Sequence, residues 1–301
     1  MLKRPQVKRP GPSARPRRVR KGAKVHFFIT AGTSLRRGRP TAQAAARPGG
    51  IPMSVRTLLV SCLAALIAPL AVFAEPLEFQ SSDTRVSLLE LYTSEGCSSC
   101  PPADRFVNQL KSDRRLWREV VPVAFHVDYW DYIGWRDRFA SPQYSERQRS
   151  YARSGYVKSV YTPGLVLGGD EWRSWFFSPV LKLGKGANVG PLRLEVEHGQ
   201  VTATFLPAAA TSKPAQLHLA VLGFGLQSEV KAGENHGKIL EHDFVVLGYS
   251  RADMHKTGNT LSATTSLPEP RFPSARLAIA AWVSAKDDPF PVQTVGGWLE
   301  P

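Results

Sequence analysis

Cysteine is scarce in this chain, with three residues among 301. Cys62 lies in an apolar run near the N-terminus, so the remainder carries only Cys97 and Cys100, three positions apart. The sequence also lacks a G-x-G-x-x-G fingerprint and a phosphate-binding loop, so no organic cofactor is predicted. No His–Asp signature accompanies the serines around the cysteine pair, so a serine hydrolase is not predicted. Any chemistry is therefore expected at the two remaining cysteines.

Acidic residues are absent from residues 1–52, which contain 14 Lys and Arg. This segment accounts for the formal net charge of +14, because residues 75–301 contain 24 basic and 25 acidic residues. A charge confined to a leader says nothing about the folded part, so no nucleic-acid partner is predicted. Residues 1–52 lack apolar periodicity, and we expect a disordered basic extension that precedes the true translation start at Met53.

A long hydrophobic run is also missing, because the apolar stretch after Arg56 is about 17 residues long and contains Pro69. That length is marginal for a membrane span. Residues 53–74 combine a short positive region, an apolar region and small residues before Glu75, which is the pattern of a secretory signal peptide. We predict a periplasmic or secreted protein with no stable membrane anchor after cleavage; a retained anchor is the alternative. Export would place the cysteines where thiols can be oxidised.

Strand and helix signals alternate in the first half of the remaining chain. Residues 86–92 are mostly apolar, as expected of a strand buried on both faces, and helical spacing of apolar residues follows the cysteines. A second buried strand is predicted at 120–127, a proline-initiated helix at 143–154 and a short strand at 165–167. This order predicts an α/β domain over about residues 80–187.

Helical periodicity nearly disappears in the second half. Apolar and polar residues alternate at 192–196 and 201–205 on either side of a turn, which predicts a hairpin with one buried face. Further strands are predicted at 217–222, 244–249, 277–283 and 292–295. We therefore predict a β-rich, sandwich-like C-terminal domain over residues 188–301. Nothing in the sequence predicts the oligomeric state.

The cysteine pair directly follows the first buried strand and opens the helix after it. Positions i and i+3 lie on one helical face, so Cys97 and Cys100 are within disulfide reach. Unpaired N–H groups and the positive dipole end of a helix N-terminus stabilise a thiolate. We predict a redox-active dithiol in which Cys97, nearer the exposed helix end, attacks and Cys100 resolves the mixed disulfide.

Other roles for the cysteine pair stay open. A structural disulfide is one, although a four-residue loop constrains the unfolded chain little. A binding or chaperone module for a soft metal such as copper(I), without turnover, is another, but two thiolates alone make an incomplete structural zinc site. His126 and Asp128 leave the second strand near the cysteines and could approach them; loop hydrogen bonding is the favoured role. No metal ligand is assigned.

Several further residues each have two interpretations, one as a functional group and one as an ordinary structural residue. Glu95 could be an acid–base group for Cys100, but a solvated turn carboxylate is favoured. His236 and His242 could ligate a metal, but surface or capping roles are favoured. The aromatic residues between 129 and 139 could form a groove for a polypeptide, with packing as the simpler role.

Four sequence blocks resemble a known family. They are LYTSEGCSSCPPAD, HVDYWDYIGWRDRFASPQYSERQRSYA, VYTPGLVLGG and GENHGKILEHDFVV. They are similar to an uncharacterised family of secreted bacterial and plant proteins with a thioredoxin-like domain, and the resemblance spans roughly residues 85–300. It implies a thioredoxin-like α/β domain followed by a β-rich extension, with no settled substrate.

The resemblance also implies which residues form the site. Cys97, Cys100 and Pro163 carry over by position as the catalytic residues, and Pro163 is expected to be a cis proline that faces the cysteines. The implied activity is thiol–disulfide oxidoreduction on a protein or small thiol. The Ser98-Ser99 dipeptide departs from the Gly-Pro of thioredoxin, and the dipeptide tunes the reduction potential, so the direction of electron flow is not predicted.

Overall fold

The structure is a computed structural model that describes residues 75–210, 213 and 215–299. The predicted basic extension (1–52) and signal peptide (53–74) lie outside the described residues. Within the described part of the chain, no helix has both the length and the apolarity needed to cross a membrane.

Strands dominate the described residues. They are β1 (Leu77–Gln80), β2 (Ser87–Thr93), β3 (Val120–His126), β4 (Gly164–Leu167), β5 (Asp170–Glu171), β6 (Leu192–Glu197), β7 (Gln200–Phe205), β8 (Ala215–Phe224), β9 (Leu226–Glu229), β10 (Ile239–His242), β11 (Val245–Thr257), β12 (Thr260–Ser266), β13 (Arg276–Ala285) and β14 (Pro291–Trp298). The α-helices are α1 (Pro101–Gln109) and α2 (Pro142–Arg153). Short 3-10 turns occur at Leu110–Ser112, Asp131–Ile133 and Arg173–Phe176.

Local sequence explains where these elements begin. Both helices begin with proline, which suits a first turn whose N–H groups have no intrahelical partner. Ser141 caps α2, since its hydroxyl oxygen accepts from the backbone N–H of Gln143 at 3.4 Å. All seven residues of β3 and six of the seven in β2 are buried, which confirms two strands covered on both faces. Buried and exposed positions alternate along β6 and β7, which pair antiparallel as the predicted hairpin.

Twelve of the strands belong to one mixed sheet. The central run is β12-β11-β3-β2-β4, in which β2 lies parallel to β3 and antiparallel to β4. The start of β11 lies parallel to β3, with Val245 opposite Ala124, and most of its length pairs antiparallel with β8. The last residues of β11 pair with β12, which continues to β7, β6 and β1. Strand β11 therefore joins both groups of strands, while β9 and β10 form a separate two-stranded sheet.

The predicted fold class, an α/β thioredoxin-like domain followed by a sandwich-like β-rich domain, is wrong. The described residues are mostly strand, with a 12-stranded mixed sheet and two short helices of 9 and 12 residues. The hydrophobic patterns located most strands but not their partners. The backbone N–H of Ala124 donates to the carbonyl oxygen of Phe244 at 2.8 Å, a pairing that no local pattern encodes.

The main hydrophobic core contains side chains from both halves of the sequence. Leu88 and Phe125 from β2 and β3 share one buried cluster with Leu222 and Trp282 from β8 and β13. A second cluster lies between the β6–β7 hairpin and the opposite faces of β8 and β13. The proposed bounds of 80–187 and 188–301 stay a prediction, and the sheet and main core include residues from both ranges.

One ion pair is buried inside this core. Arg147 of α2 donates through Nε to Glu90 of β2 at 2.6 Å, and both side chains are almost fully buried. The hydroxyl groups of Tyr92 and Tyr151 donate to the same carboxylate. Glu90 is thus fully hydrogen-bonded, as a buried charge must be to avoid a large desolvation cost.

Candidate functional site

The two cysteines form a disulfide at the N-terminus of α1. Their Cα atoms are 5.4 Å apart, and Cys100 is the N-cap residue of the helix. The backbone N–H of Cys97 donates to the carbonyl oxygen of Ser94 at 3.1 Å, so a turn carries the chain from β2 into the helix. The carbonyl oxygen of Cys100 accepts from Ala103 and Asp104 in the first helical turn. The spacing of Cys97 and Cys100 by three positions predicts this arrangement, a bonded pair at the start of a helix.

Both cysteine side chains are buried, Cys97 with 1% and Cys100 with 0% of its surface exposed. Ser98 and Ser99 between them are exposed. The Ser99 hydroxyl oxygen lies 3.3 Å from the Cys97 sulfur. Burial does not distinguish the two sulfurs, so the assignment of Cys97 as the attacking thiol stays a prediction.

The segment between β9 and β10 contacts the cysteine loop. The side-chain amide of Asn235 donates to the carbonyl oxygens of Glu95 at 2.8 Å and Cys97 at 2.9 Å. The carboxylate of Glu234 accepts from the backbone N–H of Ser98 at 3.0 Å. Hydrogen bonds from the side chain and the backbone of Ser98 lower the pKa of Glu234. Glu234 and Asn235 lie in the fourth resembling block, whose G-E-N-H-G string signals a tight turn, but no role was predicted for either.

Pro163 follows a cis peptide bond, as the resemblance predicts. It shares a cavity of about 290 Å³ with Ser99 of the cysteine loop. The other lining residues are Tyr161, Arg173, Trp175, Phe176 and Phe177. Phe176 and Phe177 are 67% and 88% exposed, which is unusual for phenylalanine. The Trp-Phe-Phe string was not predicted as part of the site, although three consecutive aromatic residues near Pro163 were a visible signal.

The aromatic residues after β3 brace the cysteine loop. Trp130 donates through Nε1 to the Thr162 hydroxyl oxygen at 2.6 Å, which ties this loop to the residue before Pro163. A Cβ atom at Gly96 would lie 3.2 Å from Ile133 and 3.3 Å from Trp130, so the two loops pack closely. The packing role is therefore observed for Trp130, whereas Tyr132 of the same run is exposed.

Glu95 is buried, so the predicted solvated turn carboxylate is wrong. Its Oε2 atom accepts from Trp135 Nε1 at 2.8 Å, and its Oε1 atom lies 3.4 Å from His242 Nε2. The wrong prediction arose because a charged residue beside glycine in a turn is usually solvated, whereas here the loops around residues 130–137 and 235 cover it.

Two histidines and two aspartates lie beside Glu95. His126, at the end of β3, has Nδ1 2.7 Å from Asp137 Oδ2. The His126 and His242 rings pack edge to face with centroids 4.9 Å apart. His242 Nδ1 lies 3.9 Å from Asp104 Oδ1. Ligand-type atoms of Asp104, His126 and His242 all lie within 4.8 Å of one another.

Of the other sequence candidates, Asp128 and His236 are not part of this cluster, whereas His242 is. Asp128 accepts from the Ser145 hydroxyl group at 2.5 Å, so its loop hydrogen-bonding role is confirmed. His236 is exposed, in agreement with a surface role, whereas His242 is buried, which contradicts the surface role favoured for it.

Burial and charge act in opposite directions on these groups. Burial raises the pKa of Asp104 above its usual range, because the charged form is poorly solvated. Burial is the largest single influence on the pKa of His126 and lowers it, but the carboxylates of Asp137, Asp104 and Glu95 together raise that pKa above its usual value. Burial is also the largest influence on the pKa of Asp137 and raises it, but His126, the backbone N–H of Glu95 and His242 together lower that pKa. The His126–Asp137 pair is thus mutually stabilised.

Comparison with known proteins gives a family and a fold. Residues 88–284 match the model of a family described as "Protein of unknown function (DUF1223)". No curated protein matches the chain. The structure resembles that of protein AGR_C_4864 from Agrobacterium tumefaciens, with a TM-score of 0.51, 23% identity, and coverage of 72% of this chain and 95% of that one.

A second solved structure has a similar fold. HBP35 of Porphyromonas gingivalis matches with a TM-score of 0.51 and 16% identity, covering 73% of this chain and 77% of that one. At these identities, both likenesses concern the fold alone.

Proposed function

The chain belongs to the family of proteins of unknown function described as DUF1223, and from this premise we propose that it is an exported thiol–disulfide oxidoreductase acting through Cys97 and Cys100. The observation that carries the proposal is the disulfide between these residues at the N-terminus of α1. The first two residues of α1 are prolines without N–H groups, and Ala103 and Asp104 donate to Cys100, so the support comes from the positive dipole end of the helix. That dipole favours a thiolate, which is both the attacking and the leaving form in disulfide exchange.

The disulfide itself is the oxidant in the proposed step. A substrate thiolate attacks the Cys97 sulfur, the bond between Cys97 and Cys100 breaks, and Cys100 leaves as a thiolate. A second substrate thiolate then attacks the substrate sulfur of the mixed disulfide, and Cys97 leaves as a thiolate. Two electrons pass from the substrate dithiol, which becomes a disulfide, to the cysteine pair. The reverse reaction regenerates the disulfide at the expense of a substrate disulfide.

The cavity beside the disulfide supports a peptide substrate. Pro163 and Ser99 line it together, and the exposed rings of Phe176 and Phe177 offer an apolar surface to an incoming chain. A protein thiol or disulfide is therefore the proposed substrate class, with small thiols as the simplest reactants.

Access to the sulfurs requires a local opening, because both cysteines are buried. Two hydrogen bonds join the main chain of the cysteine loop to the segment between β9 and β10, one from Ser98 to Glu234 and one from Asn235 to Cys97. We propose that a partner displaces these two hydrogen bonds, an opening much smaller than global unfolding.

The proposed location is outside the cytoplasm. It rests on the signal-peptide pattern in residues 53–74 and on the need for a compartment in which a cysteine pair can be oxidised. Residues 75–301 are close to electrically neutral, which gives no basis for a nucleic-acid partner.

A redox titration of the cysteine pair, combined with turnover, tests the proposal. We expect a reversible two-electron midpoint in glutathione buffers and catalysed reduction of insulin by dithiothreitol. Both should be abolished by Cys97→Ser and by Cys100→Ser, and neither should change in the Ser112→Ala control. A folded protein with no turnover would overturn the proposal. If the reduced form of this inactive protein bound copper(I) only while both cysteines were present, a copper chaperone without catalytic turnover would replace the oxidoreductase as the proposed function.

A further inference from the structure

We propose that two histidines and one aspartate, brought together from three segments, bind one divalent transition-metal ion, and that zinc is the ion they fit best. The three residues are Asp104, His126 and His242, whose ligand atoms all lie within 4.8 Å of one another. This site is separate from the sulfur atoms and does not rest on the proposed redox function.

The three ligand residues and the neighbouring Glu95 come from different parts of the fold. Glu95 lies in the loop after β2, Asp104 in the first turns of α1, His126 at the end of β3 and His242 at the end of β10. All four side chains are buried. Convergence of four titratable side chains at one buried point is costly unless their charges and lone pairs are satisfied.

Several atoms that face this point have no hydrogen-bond partner. They are Oε1 of Glu95, Nε2 of His126 and both ring nitrogens of His242. Buried polar atoms are nearly always paired in folded proteins, so unpartnered atoms on three adjacent residues call for a common partner. A single cation that binds Nε2 of His126 and Nδ1 of His242 would supply it for the two histidines, while Nε2 of His242 faces Glu95.

Surrounding residues orient the ligands in the way that metal sites require. Asp137 holds Nδ1 of His126 at 2.7 Å, which leaves Nε2 free for an ion. The Thr93 hydroxyl group donates to Oδ2 of Asp104 at 3.0 Å and leaves Oδ1, the atom nearer to His242. A carboxylate that fixes the second nitrogen of a ligating histidine is a recurrent outer-shell arrangement at zinc sites.

Glu95 lies behind His242 as Asp137 lies behind His126. Trp135 Nε1 donates to Oε2 of Glu95, while Oε1 lies 3.4 Å from His242 Nε2, which leaves His242 Nδ1 for the ion. His242 Nδ1 and Asp104 Oδ1 are 3.9 Å apart, against roughly 3.3 Å between ligands of a tetrahedral zinc ion with bonds of about 2.0–2.1 Å, so this separation must shorten when the ion binds.

The donor set selects the ion. Two imidazole nitrogens and one carboxylate oxygen suit zinc and its neighbours among divalent metals, whereas copper(I) prefers sulfur, and magnesium and calcium prefer all-oxygen sites. Three protein ligands leave the fourth position of a tetrahedron to water. The ion would connect α1 to β3 and β10, on which the three ligands lie.

The competing arrangement contains no ion. A protonated His242 would sit between the carboxylates of Glu95 and Asp104 as a buried charge network. This arrangement leaves Nε2 of His126 unpaired, which the metal site does not. The two alternatives predict different metal contents and different effects of His126 substitution.

The test measures metal in the oxidised protein, in which the sulfurs are bonded to each other. Protein produced with zinc in the medium is analysed for bound metal, stripped with a chelator, and titrated with Zn²⁺ and with Co²⁺. We expect one equivalent of zinc, Co²⁺ absorption typical of tetrahedral nitrogen–oxygen ligation, and a higher thermal midpoint in the zinc-loaded form.

Matched variants assign the binding to these residues. His126→Gln and Asp104→Asn should weaken zinc binding by about 100-fold or more, and Asp137→Asn, which acts through His126, by about 10–100-fold. The exposed-histidine control His236→Gln and the double variant Cys97→Ser/Cys100→Ser should bind one equivalent as tightly as the parent. A circular dichroism spectrum unchanged from the parent shows that each variant is folded.

Either of two results overturns the proposal. One is a parent protein that carries no metal after growth in zinc and binds none in titration, which leaves the ion-free charge network. The other is full-strength binding in folded His126→Gln and Asp104→Asn. Loss of binding in the double cysteine variant alone would move the metal to the thiols and would also overturn this site.

Discussion

The side-chain amide of Asn235 donates to the main-chain oxygen of Cys97 over 2.9 Å, across 138 positions of sequence. Its other hydrogen bond goes to the main-chain oxygen of Glu95. A buried amide thus satisfies two carbonyl groups of a loop that has little regular structure of its own. The conformation of the cysteine loop therefore depends on the segment between β9 and β10.

Replacing Asn235 should loosen this loop. Asn235→Asp keeps the size of the side chain but removes donors to two buried carbonyl oxygens, and we expect a loss of about 1–3 kcal/mol in the free energy of unfolding. The disulfide should also be reduced faster by dithiothreitol. Urea unfolding and the reduction rate measure the two effects.

Asn259→Asp, at a partly buried site with one carbonyl contact, is the control and should change stability by less. An unchanged reduction rate would argue against this loop as the barrier to access.

The exposed phenylalanines should affect substrate binding and leave stability alone. Phe177→Ser removes a ring that is 88% exposed, so the melting temperature should stay within about 2 °C of the parent value. If the ring binds a peptide substrate, KM for a protein disulfide should rise several-fold while kcat changes little. Tyr132→Ser removes a ring of similar exposure from a different loop and should change neither constant. Equal effects of the two substitutions would remove the cavity beside Pro163 from substrate binding.

Substituting one member of the buried Arg147–Glu90 ion pair should lower the free energy of unfolding more than substituting both. Arg147→Met leaves the Glu90 carboxylate buried without its cation, and we expect a loss of about 3–5 kcal/mol. Adding Glu90→Gln should recover much of that loss, because the uncompensated charge disappears. The exposed pair gives the control: Arg153→Met breaks its contact with Glu146 and should cost less than about 1 kcal/mol. Urea unfolding of five proteins supplies the comparison: the parent, Arg147→Met, Glu90→Gln, the double variant and Arg153→Met. A double variant whose loss equals the sum of the two single losses would contradict the expected coupling.

The buried His218 should make the protein less stable in mild acid. Burial lowers the pKa of His218 well below its usual value, and the neutral ring is hydrogen-bonded to Tyr249 and Ser284. Between the unfolded pKa of about 6.5 and the lower folded pKa, the unfolded chain binds one more proton, so stability falls as pH falls. This one group contributes at most about 1.4 kcal/mol per pH unit.

His218→Gln should flatten the dependence of the free energy of unfolding on pH between pH 6.5 and 5, whereas His255→Gln, at an exposed position, should keep the parental slope. Parallel slopes for all three proteins would contradict a neutral buried ring.

Local patterns predicted the elements around the cysteines but not the residues that surround them in space. The apolar run of β2 and the spacing of Cys97 and Cys100 depend on neighbours in sequence, and both predictions agree with the structure. The burial of Glu95 depends on Asn235 and Trp135, which lie 140 and 40 positions away. No periodicity records such contacts, so a turn glutamate was assigned to solvent.

The burial of His242 could have been predicted from the alternation of polar and apolar residues along β10. Strand β10 alternates exposed and buried residues, and His242 shares its buried face with Leu240. A histidine at an inward position of an alternating strand is a candidate for an internal polar contact. The pairing of β3 with β11 had no such signal, because long apolar strands are compatible with many neighbours. The fold class was wrong for this reason, although most of the individual strands were located.

The thirteen-residue strand β11 has a consequence for any attempt to divide this protein. A polypeptide cut after residue 187 would keep β3 but lose its hydrogen-bonding neighbour β11, so a fully buried strand would become a bare edge. Such an edge is a template for pairing with other chains, and the fragment should precipitate or assemble rather than stay monomeric. The cysteine-bearing half therefore depends for its solubility on a later part of the chain that carries no cysteine.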